Sequence, residues 1–255
     1  MTEKDKKVAI VTAAGQGMGK ATAEELASRG YKVVLMSPSN RCIELAKKLG
    51  GVAMSGSVLE TKDIKALVQL AMDTYGRIDG LVNNTGNMQS LIVPSTKVRA
   101  ERAYDPEFDG ILLDVPDDQW HAALDFYFLN VVRMCRAVTP IMMKQKKGAI
   151  VNISSLSALE PRLTYAAGST IRTAALTFTK LYADRYGREG IRINNVLPGF
   201  MDNRVFSDEV IKSVPIPRRG KVEEVAKTIA FLLSDDAGYI TGQNYLVDGG
   251  VNRRM

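Results

Sequence analysis

The residues whose types and spacing suggest chemistry most directly lie near the start of the chain, in Val8-Ala-Ile-Val-Thr12-Ala-Ala-Gly15-Gln-Gly17-Met-Gly19-Lys. A short apolar run there passes through a turn of small residues into a helical pattern. Small side chains let backbone N–H groups approach an anion, and a helix N-terminus adds unpaired donors and a partial positive charge. The combination suits a pyrophosphate. Other reactive side chains point to less. His121, the single histidine, follows Trp120 and has no partner at useful spacing, so a surface or packing role is expected. Cys42 and Cys135 lie far apart, with no CxxC pair and no His/Cys cluster, so neither a metal site nor a disulfide framework is expected.

The elements that must position that turn follow from periodicity. Val8 to Thr12, Lys32 to Met36, Val52 to Ser55, Gly80 to Asn83, Gly148 to Ile153, Arg192 to Leu197 and Asn244 to Val247 read as seven strands. Between them, Gly17 to Arg29, Thr61 to Tyr75, Asp117 to Lys144, Thr164 to Tyr186 and Val222 to Leu233 carry apolar residues at helical spacing. Strands alternating with helices predict one doubly wound α/β domain over residues 1–255, with a seven-stranded parallel sheet. Two long connections, Asn87 to Val115 and Phe200 to Lys221, interrupt the rhythm and should border the ligand crevice.

With 255 residues, 45% hydrophobic and 24% charged, the composition is that of an ordinary globular protein. No apolar run is long enough to span a bilayer, and the charged start gives way to an apolar run too short for a signal peptide, so a cytoplasmic protein without a membrane partner is expected. The net charge of +6 is scattered and accompanies no recognition motif, so no nucleic-acid partner is expected.

A second motif, Asn83-Asn84-Thr85-Gly86, follows the fourth strand. With the turn at Thr12 it makes the chain resemble the short-chain dehydrogenase/reductase family, whose first turn reads Thr-Gly-x-x-x-Gly-x-Gly and whose fourth strand ends Asn-Asn-Ala-Gly. The resemblance implies a Rossmann fold, a nicotinamide dinucleotide, a small-molecule substrate carrying a carbonyl, alcohol or activated alkene, and a homo-oligomer, tetramer or dimer. Ala13 stands at the family's first glycine, where Gly15 is expected to relieve the crowding. After the second strand the aspartate of NAD-preferring relatives is missing. Ser37, Ser39, Asn40 and Arg41 stand there and favour NADP over NAD, although Arg41 is equally a surface cation. Ser57 replaces the usual adenine-contacting aspartate, with Val58 beside it. The implied cofactor contacts are therefore Ala13, Gln16, Gly17, Met18, Gly19, Ser37, Asn40, Arg41, Ser57, Val58, Asn84, Thr85, Gly86, Arg172, Pro198, Gly199, Met201 and Asn203, the last in place of a threonine.

At the catalytic end the resemblance assigns Ser155 to orienting the carbonyl and Asn130 to holding a water in a proton relay. Relatives add a tyrosine beside a lysine that lowers the phenol's pKa. Their spacing, thirteen residues after the serine and thirty before the Pro-Gly proline, reaches Gly168 from both Ser155 and Pro198, and the lysine position then falls on Arg172. Tyr165, three residues before Gly168 and seven before Arg172, is the substitute acid if the helix begins early enough; otherwise it packs at the helix start. The enoyl reductase branch of the family has a similar Tyr-to-Lys spacing. Arg172 keeps a fixed charge but cannot lose a proton.

Between Gly86 and Asn130 the chain is longer than relatives, and Leu91, Ile92, Tyr104, Phe108, Ile111 and Leu112 are expected to form either a substrate lid or a subunit contact. Three functions stay open: an oxidoreductase using Ser155, Arg172 and Tyr165 or water; a non-catalytic dinucleotide-binding protein; and a redox-silent enzyme resembling the halohydrin dehalogenases.

Overall fold

Val8–Thr12 is buried at every position, as a strand covered by helices on both faces must be. It is β1 of a single parallel sheet with β2 (Lys32–Ser37), β3 (Val52–Ser55), β4 (Gly80–Asn83), β5 (Gly148–Ile153), β6 (Ile191–Pro198) and β7 (Asn244–Val247). The strand order is β3-β2-β1-β4-β5-β6-β7, which places the switch of direction between β1 and β4. The computed structural model describes residues 6–86 and 112–253. Most of the long connection of residues 87–115, including Leu91, Ile92, Tyr104, Phe108 and Ile111, lies outside the described residues. Leu112 is described, in a short 3₁₀ turn over Leu112–Asp114.

Alternation along β1 distributes the core between the two faces. Ala9 and Val11 join Leu26 and Ile229 on the side covered by α1 (Gly17–Ser28) and α8 (Val222–Leu233). Val8 and Ile10 join Leu67 and Met134 on the other, under α3 (Thr61–Tyr75), α5 (Asn130–Gln145) and α6 (Ala166–Tyr186). Across the sheet runs a polar ladder: Asn83, Asn152, Asn195 and Asn244 are in register on successive strands. The Asn83 amide donates to Asn152 at 2.8 Å, Asn152 to Asn195 at 3.0 Å, and Asn195 to Asn244 at 2.7 Å. Such a ladder fixes strand register, because a slip would strand several buried amides.

Several boundaries differ from the reading by periodicity. Helix α2 (Arg41–Leu49) and the five-residue α7 (Asp208–Lys212) went unread. The helix expected over Asp117 to Lys144 is α4 (Asp117–Leu124), one π turn (Asp125–Leu129) and then α5. The helix expected from Thr164 begins as a 3₁₀ turn over Leu163–Tyr165, with α6 starting at Ala166. No helix among the described residues is long and apolar enough to cross a membrane.

Candidate active site

The first turn is built for close approach. Thr12 Oγ1 donates to the Asn84 carbonyl at 2.7 Å and accepts from its N–H at 2.9 Å, tying the turn to the Asn-Asn-Thr-Gly segment. Gly19, in the first turn of α1, lies so near this turn that a Cβ would be 2.4 Å from the Ala13 carbonyl oxygen. Gly17 has φ +54, with the Asn203 amide against it. The expected relief of Ala13 by Gly15 does not occur. Ala13 itself takes φ +47, a left-handed backbone that costs an alanine roughly 1 kcal/mol, while Gly15 matters because a side chain there would meet the Ser37 hydroxyl at 2.9 Å.

A cleft of about 1200 Å³ opens beside this turn. Of the cofactor candidates, Ala13, Gln16, Gly17, Met18, Ser37, Arg41, Ser57, Val58, Asn84, Thr85, Gly86 and Asn203 line it. The adenosine end is polar and, among the described lining residues, free of carboxylates. Ser37 donates to the Ser39 carbonyl at 2.7 Å, and Arg41 reaches the Gln16 side-chain oxygen at 2.6 Å. The cradle therefore fits a dinucleotide: small residues where its backbone must come close, donors where phosphate would lie.

Six candidates stand outside the cleft: Arg172, described below, and five others. Gly19 spaces the helix from the turn, and Asn40 is exposed at the start of α2. Pro198 is buried at the end of β6. Gly199 is packed so closely on Asp248 that a Cβ would lie 2.7 Å from its Cα. Met201 is a core residue, 4% exposed, against Gly220.

Ser155 and Tyr165 line the opposite end of the same cleft. Ser155 accepts from the Ser157 N–H at 3.2 Å and from its hydroxyl at 3.1 Å, which fixes its oxygen at the start of a 3₁₀ turn. Tyr165 is not on the helix, since φ −144 and ψ 45 make it the residue that precedes α6. The expected shared helical face is therefore absent, yet the juxtaposition survives by another route. The Tyr165 ring lies over Gly168, where a Cβ would be 2.1 Å from Cζ and 2.4 Å from Cε1 and Cε2. The ring fills the space that a side chain at position 168 would need, and only glycine permits it.

Arg172 faces a separate small space of about 10 Å³, lined also by Tyr127, Asn130 and Ser154. Its guanidinium lies 3.9 Å from the Tyr127 ring centroid, a cation–π contact, and Tyr127 meets Tyr165 edge to face at 6.2 Å. Asn130 emerges from the π turn, and its amide donates to the Phe126 carbonyl. The polar lining and size of this space suit one water molecule beside Asn130. Tyr165 Oη and Arg172 Nε are both buried without a hydrogen-bond partner among the described residues. Burial pushes the Tyr165 phenol above its ordinary pKa, and the Arg172 charge, pulling downward, does not offset it.

Sequence reasoning missed Tyr127, although it lies three residues before Asn130 and shares its helical face. It also missed Arg162 and Arg204, which reach the cleft from loops and leave no periodic trace.

A doubly wound parallel sheet with a glycine-lined anion cradle at its switch point defines a nucleotide-binding α/β protein. The family described as enoyl-(acyl carrier protein) reductase matches residues 12–252. The chain is 33% identical to a 3-oxoacyl-[acyl-carrier-protein] reductase of Synechocystis over 98% of this chain and 99% of that one. It is 31% identical to the corresponding reductase of Salmonella typhimurium and 32% to that of Thermotoga maritima, each over 96% of this chain and 97% of the relative. The chain belongs to the short-chain dehydrogenase/reductase family and is an oxidoreductase that uses a nicotinamide dinucleotide.

Proposed function

We propose that the chain is an NADPH-dependent reductase of a carbonyl or activated alkene in a small molecule, with Tyr165 as the proton donor in place of the residue at 168. One observation carries this reading: the phenol ring occupies the space above Gly168 in a residue that lines the cleft, with its oxygen buried beside Tyr127 and Arg172. When bound, the reduced nicotinamide supplies a hydride. Ser155 then donates a hydrogen bond to the substrate oxygen, and Tyr165 Oη gives its proton to the alkoxide as negative charge develops. Arg172 stabilises the phenolate left behind, through charge and not through proton exchange, and Asn130 holds the water that returns a proton. The raised phenol pKa keeps Tyr165 protonated and available as a donor, while leaving it a weaker acid than a phenol whose pKa a lysine lowers.

Ser37, Ser39, Arg41 and Ser57 support a 2′-phosphate, because hydroxyls and a guanidinium stand where a carboxylate would repel it. The relatives' names favour a 3-oxoacyl or enoyl thioester as the first substrates to try. A cytoplasmic homo-oligomer of one domain per chain completes the proposal.

Loss of NADPH absorbance with a panel of 3-oxoacyl and enoyl thioesters tests it. Tyr165→Phe should lower kcat by about 10²–10⁴-fold, the usual worth of a positioned acid, with unchanged NADPH affinity. Unchanged kcat would remove Tyr165 from the chemistry.

A further inference from the structure

The π turn Asp125–Leu129 joins α4 to α5, and its wider turn shifts the phase of the side chains that follow. An ion pair spans it, Arg133 on α5 reaching Asp125 at 2.6 Å. Within it Phe126 meets Tyr127 edge to face at 5.0 Å, and the Asn130 amide donates back to the Phe126 carbonyl. So braced, Tyr127 is buried in a small cluster with Ala123, Tyr165 and Ala167, separate from the clusters on the two faces of the sheet.

The Tyr127 ring touches more than apolar neighbours. The buried Arg172 guanidinium lies over it, 3.9 Å from the centroid, and the Tyr165 ring meets it edge to face. Tyr165 lines the large cleft, whereas Arg172 and Tyr127 line the small space and not the cleft. Arg172 Nε has no hydrogen-bond partner among the described residues, so the ring face, and not a hydrogen bond at Nε, orients the guanidinium. A planar guanidinium suits that contact better than the compact ammonium of a lysine on its flexible stem. All three side chains are electrostatically in touch: burial holds the Tyr165 phenol in its protonated form, Arg172 pulls against that, and Tyr127 adds to it.

We propose that Tyr127 is a positioning residue for the reaction: its ring clamps the Arg172 guanidinium beside Tyr165, so that the arginine's charge serves the phenol and not the cofactor's ribose. The proposal rests on the reading that Tyr165 donates the proton. Tyr127 then acts only through Arg172, and neither residue contributes to NADPH affinity.

A cycle of wild type, Tyr127→Leu, Arg172→Met and the double variant tests it, with Tyr127→Phe as the conservative replacement that keeps the ring. With the thioester that wild type reduces fastest, Tyr127→Leu and Arg172→Met should each lower kcat about tenfold, and the double variant should lose no more than about twofold beyond Arg172→Met. Tyr127→Phe should keep most of the turnover, and NADPH affinity by calorimetry should stay the same throughout. Losses that multiply in the double variant would make Tyr127 a structural neighbour and overturn the proposal. A Tyr127→Phe as slow as Tyr127→Leu would assign the role to the hydroxyl, and weakened NADPH binding by Arg172→Met would place the arginine on the cofactor; either overturns it too. The Nε–Hε NMR signal of Arg172, assigned in arginine-labelled protein by its absence from Arg172→Met, should hold its ring-shifted position in Tyr127→Phe and move downfield in Tyr127→Leu. A signal unmoved in Tyr127→Leu would overturn the clamp. Undiminished kcat in Tyr165→Phe, or no turnover by wild type, would sink the reductase reading instead, and the NMR signal would still judge the clamp.

Discussion

Replacing Gly168 by alanine adds one methyl group and should act as though it removed Tyr165. The new Cβ would lie 2.1 Å from Cζ of a ring that is only 9% exposed, so the ring must leave its place. Exposing roughly 150 Å² of aromatic surface at about 25 cal/mol per Å² costs about 4 kcal/mol, and the lost edge-to-face contact with Tyr127 adds about 1 kcal/mol. Freeing a buried, unpartnered hydroxyl returns about 2 kcal/mol, and alanine in place of glycine in a helix returns about 1 kcal/mol. The balance is a destabilisation of about 2 kcal/mol, or roughly 4–8 °C in Tm for a chain of this size. In a Tyr165→Ala background the same change should stabilise by up to about 1 kcal/mol, so the cycle of four proteins should show a coupling of about 3 kcal/mol. Scanning calorimetry reads the stabilities, and NADPH turnover of Gly168→Ala should fall to that of Tyr165→Phe. Coupling within about 0.5 kcal/mol of zero would refute the packing of Tyr165 over Gly168.

Asn152→Leu leaves the Asn83 amide without its acceptor and removes the donor to Asn195 and Thr179, which should cost about 2–4 kcal/mol by calorimetry; a change below about 1 kcal/mol would show that the ladder is not a stability element. Alkaline unfolding should expose Tyr31, whose phenol is pushed up from 10.0 to about 12, chiefly by burial and then by Asp235 and Asp79. Because its folded pKa is the higher one, its contribution is complete below pH 10 and is lost as pH rises from there towards 12, about 1 kcal/mol after allowing for solvent screening. Buried Cys135, raised to about 12, adds to the same loss, so the informative quantity is the difference between wild type and Tyr31→Phe, which should unfold less steeply with pH.

The sheet was legible because buried parallel strands read as unbroken apolar runs and each ends in a small or polar residue. All seven strands fall within two residues of their reading. Helix α2 escaped because Ser37-Pro-Ser-Asn40 carries turn chemistry, and only Cys42, Leu45 and Ala46 of the helix are buried. The π turn escaped for a different reason: it keeps the apolar spacing of its neighbours while shifting the phase by one residue.

At the site, the family's spacing assigns Gly168 and Arg172 to the tyrosine and lysine positions, and the three-residue separation puts Tyr165 near Gly168. What spacing could not give was direction. Tyr165 reaches over Gly168 from outside the helix, through a backbone conformation that no pattern of residue types specifies. Loop closure, equally invisible to periodicity, brings Arg162 and Arg204 to the same cleft.

The central claim is that the glycine-lined cleft holds NADPH. It is tested most directly by calorimetric titration of the purified chain with NADPH and NADH, repeated on Ser37→Asp. Saturable one-to-one binding of NADPH, at least tenfold tighter than NADH and reversed in preference by the aspartate, is the expected result. Absence of binding by either nucleotide would contradict the claim, and equal affinities unmoved by Ser37→Asp would contradict its phosphate recognition.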